Sequence, residues 1–244
     1  MAARGWRPVA KVWAIARREW GAYFLSPVAW VVLGVFLLLT GCYFAASVLS
    51  TSQADLRPVL GFTAALLLFI APALTTRLWS EELRQGTDEL LYTAPVSTAQ
   101  VVLGKFLGAL AVLVLYLLLT GVYPLLLRAF ARPDLRAAAA GFLGLLLLGA
   151  AALAAGLFAS SLTESQVVAG VVGFGLLLLF WIAGWLGDVL PGWPAGAVRY
   201  LALLPHFDDF GKGVLDTSHV IYLVSLTGGF LFLTARRLEA ARWR

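Results

Sequence analysis

A chain of 244 residues that is 61% hydrophobic and 13% charged, with a mean hydropathy of +0.89, is far more apolar than the roughly 45–50% usual for soluble domains. This excludes a soluble enzyme, and beside its membrane segments the chain has no length left for a soluble catalytic domain. The net charge of +5 would suggest nucleic acid in a soluble chain, but basic residues flanking apolar runs are expected of a membrane protein. Cys42 is the only cysteine, so an intrachain disulfide is impossible and a thiolate metal site is disfavoured.

Residues 1–26 are basic (Arg4, Arg7, Lys11, Arg17, Arg18) and lack the apolar core and cleavage site of a signal peptide. Trp6, Trp13 and Trp20 recur every seven residues, with Arg4, Lys11 and Arg18 in the same repeat. The pattern predicts an amphipathic interfacial helix starting at Pro8, tryptophans in the headgroup layer and cations toward anionic lipid and water. It serves either as a simple anchor or in gating and partner contact.

Ser26 and Pro27 open a first span over about 28–49, and Pro58 opens a second over about 59–76, with Pro72 placed to kink it. Residues 77–100 are too polar to lie in lipid. Glu81, Glu82, Arg84, Asp88 and Glu89 crowd this stretch, and Leu83, Leu90 and Leu91 share one helical side. Gly86 and Thr87 interrupt the pattern and mark a break between two short helices. Ser97 and Gln100 have capping-box spacing, which fixes the start of a third span over about 101–127.

Arg128, Arg132, Pro133, Asp134 and Arg136 form the next turn before a fourth span over about 137–161. The loop that follows is very short, and Thr163 with Gln166 repeats the capping-box spacing ahead of a fifth span over about 166–186. Residues 187–218 are rich in Trp, Pro and Gly, too long for a turn, and predict one or two short interfacial helices. A sixth span covers about 219–235.

Six spans put both termini on one side. That side carries twelve of the 18 basic residues and the other six, with the Arg128 to Arg136 cluster as the exception. The rule places both termini and the 77–100 loop in the cytoplasm.

No P-loop, zinc-protease or serine-hydrolase motif is present. His206, Asp208 and Asp209 could be imagined as a metal set, although adjacent acids before a glycine turn are usually solvated. No ionisable residue lies near the middle of a span, which disfavours proton coupling. Gly41 with Ala45, Gly104 with Gly108, Ala152 with Gly156 and Ala169 with Gly173 permit close helix contact, within the subunit or across a dimer.

The run E-E-L-R-Q-G-T-D-E-L-L-Y-T-A-P-V-S followed by V-L-G-K-F resembles the cytoplasmic loop after the second span of ABC-2 type transporter permeases. P-H-F-D-D-F-G-K-G-V resembles the extracytoplasmic segment of their GldF-like (gliding-motility) subgroup. The resemblance implies an all-α polytopic fold: six transmembrane helices, an N-terminal interfacial helix over 1–26 and a cytoplasmic coupling helix in 77–100, within a transmembrane domain over 27–244.

It implies that Glu81, Glu82, Arg84, Gly86, Thr87, Glu89 and Pro95, with Glu164 of the short second loop, face an ATPase subunit. His206, Asp208 and Asp209 would lie in the extracytoplasmic segment, and Trp6, Trp13 and Trp20 would anchor the interface. Two ATP-binding subunits would carry ATP and Mg, this chain binding no cofactor and catalysing nothing itself. A second permease, identical or related, and the lipid bilayer complete the partners, with no nucleic acid. The implied setting is the inner (cytoplasmic) membrane and the implied role export of a lipidic or amphipathic substrate. The alternative is a non-transport anchor or scaffold of a motility or secretion complex.

Overall fold

The computed structural model describes residues 8–51, 55–86, 96–130, 134–191 and 193–241, and these are helical with no strand among them. In chain order the helices are α1 (Pro8–Leu25), α2 (Pro27–Thr51), α3 (Arg57–Thr75), α4 (Arg77–Gln85), α5 (Thr98–Thr120), α6 (Val122–Phe130), α7 (Leu135–Ser160), α8 (Gln166–Val189), α9 (Trp193–Leu201), α10 (Leu203–Gly211) and α11 (Thr217–Ala241). Six stretches are long and apolar enough to cross a membrane: α2, α3 running into α4, α5 running into α6, α7, α8 and α11. The chain is thus an all-α, multi-pass membrane protein.

Most helix starts follow from local chemistry. Ser97 has extended backbone angles, its hydroxyl accepts the Gln100 N–H at 3.3 Å, and the Gln100 side chain accepts the Ser97 N–H at 3.1 Å, completing the expected capping box of α5. Asp134 caps α7 by accepting the Arg136 and Ala137 N–H groups. The second expected box does not form. Thr163 instead accepts the Ser165 N–H at 3.2 Å, which leaves Ser165 in extended conformation as the N-cap of α8, accepting from Val168. Two hydroxyls two residues apart compete for one helix start, and a turn at Thr163 hands it to Ser165.

The third span is divided at Gly121 into α5 and α6, although Gly121 keeps right-handed helical angles and its N–H still bonds the Leu117 carbonyl at 3.1 Å. The 187–218 segment folds as the two short helices α9 and α10.

Helix α7 is the hub, packing against α3, α4, α5, α8, α10 and α11. Small residues permit this. A Cβ added to Gly156 would sit 2.1 Å from the Thr75 hydroxyl of α3, and one at Gly149 would sit 2.5 Å from Leu113 of α5. The core is continuous, from Phe36 and Tyr116 through Leu67, Leu148 and Leu153 to Phe207 and Phe210. Outside it α2, α8 and α11 present exposed apolar side chains such as Leu38, Val171, Trp185 and Phe232, which suits a lipid-facing surface rather than water.

Candidate functional site

Helix α1 lies along α5. Its inner face is Ala16, Glu19 and Tyr23, one residue per turn, all buried. The approach is close because α5 has glycines there: a Cβ on Gly104 would meet Ile15 at 2.7 Å and one on Gly108 would meet Glu19 at 2.6 Å. The Gly104–Gly108 pair is therefore occupied within the chain.

That contact carries a carboxylate into the protein, where an ammonium meets it. Lys105 of α5 is 1% exposed, and its Nζ lies 3.2 Å from Glu19 and 2.8 Å from Glu82 of α4. Arg18 closes the set at 2.9 Å from both carboxylates. The Lys105 ammonium also lies 5.0 Å from the Trp79 ring centroid, a cation–π geometry.

Two acids and two bases from three distant segments thus form one network, and the cost of burying Lys105 is offset only while both carboxylates are present. Burial works to raise the Glu19 carboxyl, but Lys105 and Arg18 outweigh it and hold it below the usual carboxylate range.

A second joint fixes α4 to α7. Thr76 joins α3 to α4 in right-handed helical conformation, yet Trp79 and Ser80 in the first turn of α4 also send their N–H groups outside the helix. The Ser160 hydroxyl at the end of α7 accepts from the Trp79 N–H at 3.1 Å and the Ser80 N–H at 3.2 Å, and donates to the Thr76 carbonyl at 2.7 Å. A hydroxyl has one donor and two acceptor positions, and all three are used here. Leu78, Trp79 and Ser80 are accordingly buried. Glu81 bonds Arg84, Gln85 and, from α8, Gln166. Helix α4 ends where expected, at Gly86, whose φ of +65° favours glycine.

The structure therefore brings Glu81 and Glu82 to a meeting point of α1, α4, α5, α7 and α8. Arg84 and Glu164 are exposed beside it. Thr87, Glu89 and Pro95, like Trp6, lie outside the described residues. Trp13 is exposed, and Trp20 packs against Phe24 with ring centroids 4.9 Å apart and planes tilted by 58°.

Arg18, Glu19, Lys105 and Ser160 are the residues sequence reasoning missed. Glu19, the one acid in a basic amphipathic segment, was the available signal. Lys105 enters a sequence count as a loop cation, but it is buried.

The opposite end is built differently. His206 is buried, its Nδ1–H donates to the Ala202 carbonyl at 2.7 Å, and its ring stacks on Tyr222 with centroids 3.9 Å apart. His219 donates from Nε2 to Asp209 at 3.0 Å, and Lys212 bonds the same carboxylate at 3.1 Å. Hydrogen bonds from His219 and Lys212 hold Asp209 low, whereas burial pushes Asp208 up and His206 down. Among the described residues no three His, Cys, Asp or Glu side chains converge as a metal site would require.

A family model described as ABC-2 family transporter protein matches residues 13–188, well over half the chain. The match spans every member of both joints and stops short of His206. No curated protein matches the chain.

Proposed function

The chain belongs to the ABC-2 transporter family, a membrane permease of an ABC transporter, and from that premise we propose that residues 77–100 receive the stroke of a separate ATP-binding subunit. The observation that carries this reading is the network of Arg18, Glu19, Glu82 and Lys105. A force applied to α4 reaches α5 through Lys105, α1 through Arg18 and α7 through Ser160, with no flexible segment between. In this reading Glu81, Glu82, Arg84, Gly86, Thr87, Glu89, Pro95 and Glu164 belong to the coupling element that meets two ATPase copies holding ATP and Mg, with the Glu82 carboxylate turned inward to Lys105 and Arg18.

A second permease, identical or related, faces this one, and their relative movement opens a path for a lipidic or amphipathic cargo, which suits an interior with few polar groups. The basic-residue count supports cytoplasmic termini in the inner membrane, and the Pro205 to Val214 run supports the GldF-like subgroup, with Trp6, Trp13 and Trp20 anchoring the N-terminal helix.

The test is a pull-down of the tagged chain from detergent-solubilised native membranes, with ATPase assay and mass identification. A stoichiometric P-loop ATPase whose rate changes with Glu82→Gln, and not with Arg236→Gln at the chain's far end, is the expected result. Absence of any ATPase from the intact, folded chain would overturn the reading and favour a scaffold.

A further inference from the structure

The Arg128 to Arg136 cluster is half of the six basic residues that the charge count leaves on the other side, and neither joint uses it. At Gly121, which keeps right-handed helical angles, α5 passes into α6, and beside it lies a groove of about 270 Å³ lined by Val114, Leu117, Leu118 and Gly121 of the α5 end and Phe142 and Leu146 of α7. Every side chain in it is apolar, and Leu118 at its lip is 69% exposed, so the groove opens on the lipid-facing surface.

Val114, Leu118, Gly121, Leu125 and Arg128 follow one another at three- and four-residue steps, so Arg128 continues the groove's wall toward the end of the span. Arg136 sits in the first turn of α7, roughly a quarter turn round the helix from Phe142 and Leu146, which supply the opposite wall. Among the described residues neither Arg128 nor Arg136 makes an ion pair, and both are exposed.

We propose that this groove and its two arginines form a binding site for an anionic phospholipid, one acyl chain lying against Gly121 and the phosphate held by Arg128 and Arg136. The dimensions fit. From Val114 to Arg128 is fourteen residues, about 21 Å along helix, and a bilayer half measured to its headgroups is roughly 20–22 Å. The charge fits as well, since guanidinium groups at headgroup depth bind phosphate with two parallel hydrogen bonds. Zwitterionic lipid offers the same acyl chain with a compensating cation, so the site discriminates by headgroup.

The test is native mass spectrometry of the delipidated full chain in detergent, titrated with phosphatidylglycerol and with phosphatidylcholine of identical acyl chains. Phosphatidylglycerol binds at several-fold lower concentration, about fivefold for each arginine engaged. Arg128→Gln with Arg136→Gln removes that preference, Arg128→Lys with Arg136→Lys keeps most of it, and Leu118→Trp, which fills the groove, weakens both lipids. Equal binding of the two lipids by the native chain would overturn the proposal, as would a preference that survives the double glutamine variant. Displacement of phosphatidylglycerol by equimolar glycerol phosphate would overturn the acyl-chain part by showing that the headgroup alone is recognised.

Discussion

At one end of the bundle four charged side chains from α1, α4 and α5 share a network centred on the buried Lys105, with Arg18 at its exposed edge, and at the other His206 and Tyr222 stack while Asp209 bridges His219 and Lys212 at the surface. The first end ties together residues up to 86 positions apart, whereas the pairs around Asp209 at the second are ten and three positions apart. The two ends also differ in what happens when a partner is lost. A buried ammonium without its carboxylates is strongly penalised, so the first end holds its geometry or fails as a unit. A stacked ring and an exposed ion pair can be lost by degrees. A joint that passes force without slack needs the first kind of chemistry, and a segment that covers the far end of a bundle can use the second.

The sharpest way to break the contrast is Lys105→Met, which leaves Glu19 and Glu82 facing apolar groups. The expected loss is about 3–5 kcal/mol, read as a large fall in melting temperature in detergent, partly restored by adding Glu19→Gln. Gly108→Val comes next, because a side chain there meets Glu19. Overpacking of about 1–3 kcal/mol should lift α1 from α5, measurable as faster proteolysis of α1.

Ser160→Ala strands two N–H groups of α4 and is expected to cost about 1–2 kcal/mol. If the Ser160 joint transmits force, this variant also lowers cargo stimulation of the partner ATPase while the two subunits still co-purify.

A pH titration separates the two ends further. Burial depresses His206 below its ordinary 6.5, so its contribution is complete above that value and lost as pH falls through the depressed one. Glu19 is depressed below 4.5, so its contribution is lost only under stronger acid. Going from pH 7.5 to 5.5 should therefore lower the melting temperature, and His206→Phe should flatten that slope while Ser160→Ala, which removes no titrating group, leaves it unchanged. The smallest effect belongs to Arg84→Gln, which removes an exposed pair with Glu81 and should cost no more than about 0.5 kcal/mol.

What the sequence made legible was local. The six apolar stretches, the break at Gly86, the capping box at Ser97 and the two short helices in 187–218 each follow from residues a few positions apart. The box at Thr163 failed although its spacing was right, because a neighbouring hydroxyl competed for the same helix start. The ionic joint was not legible, since Glu19 and Lys105 are 86 positions apart and only the closeness permitted by Gly104 and Gly108 brings them together. Ser160 was hidden for the same reason: its partners lie 80 and 81 residues away.

Helices α3 and α4 stay in right-handed helical conformation through Thr76, so Arg57 to Gln85 can be treated as one beam. A side chain on Gly156 would strike the Thr75 hydroxyl, and a pivot taken at that close approach divides the beam unequally. From there to Gln85 is ten residues, about 15 Å, and to Arg57 eighteen residues, about 27 Å. Turning as a rigid body, the beam has a mechanical advantage below one: each ångström of travel at Gln85 becomes about 1.8 Å at Arg57. Pushed at Gln85, such a beam trades force for distance.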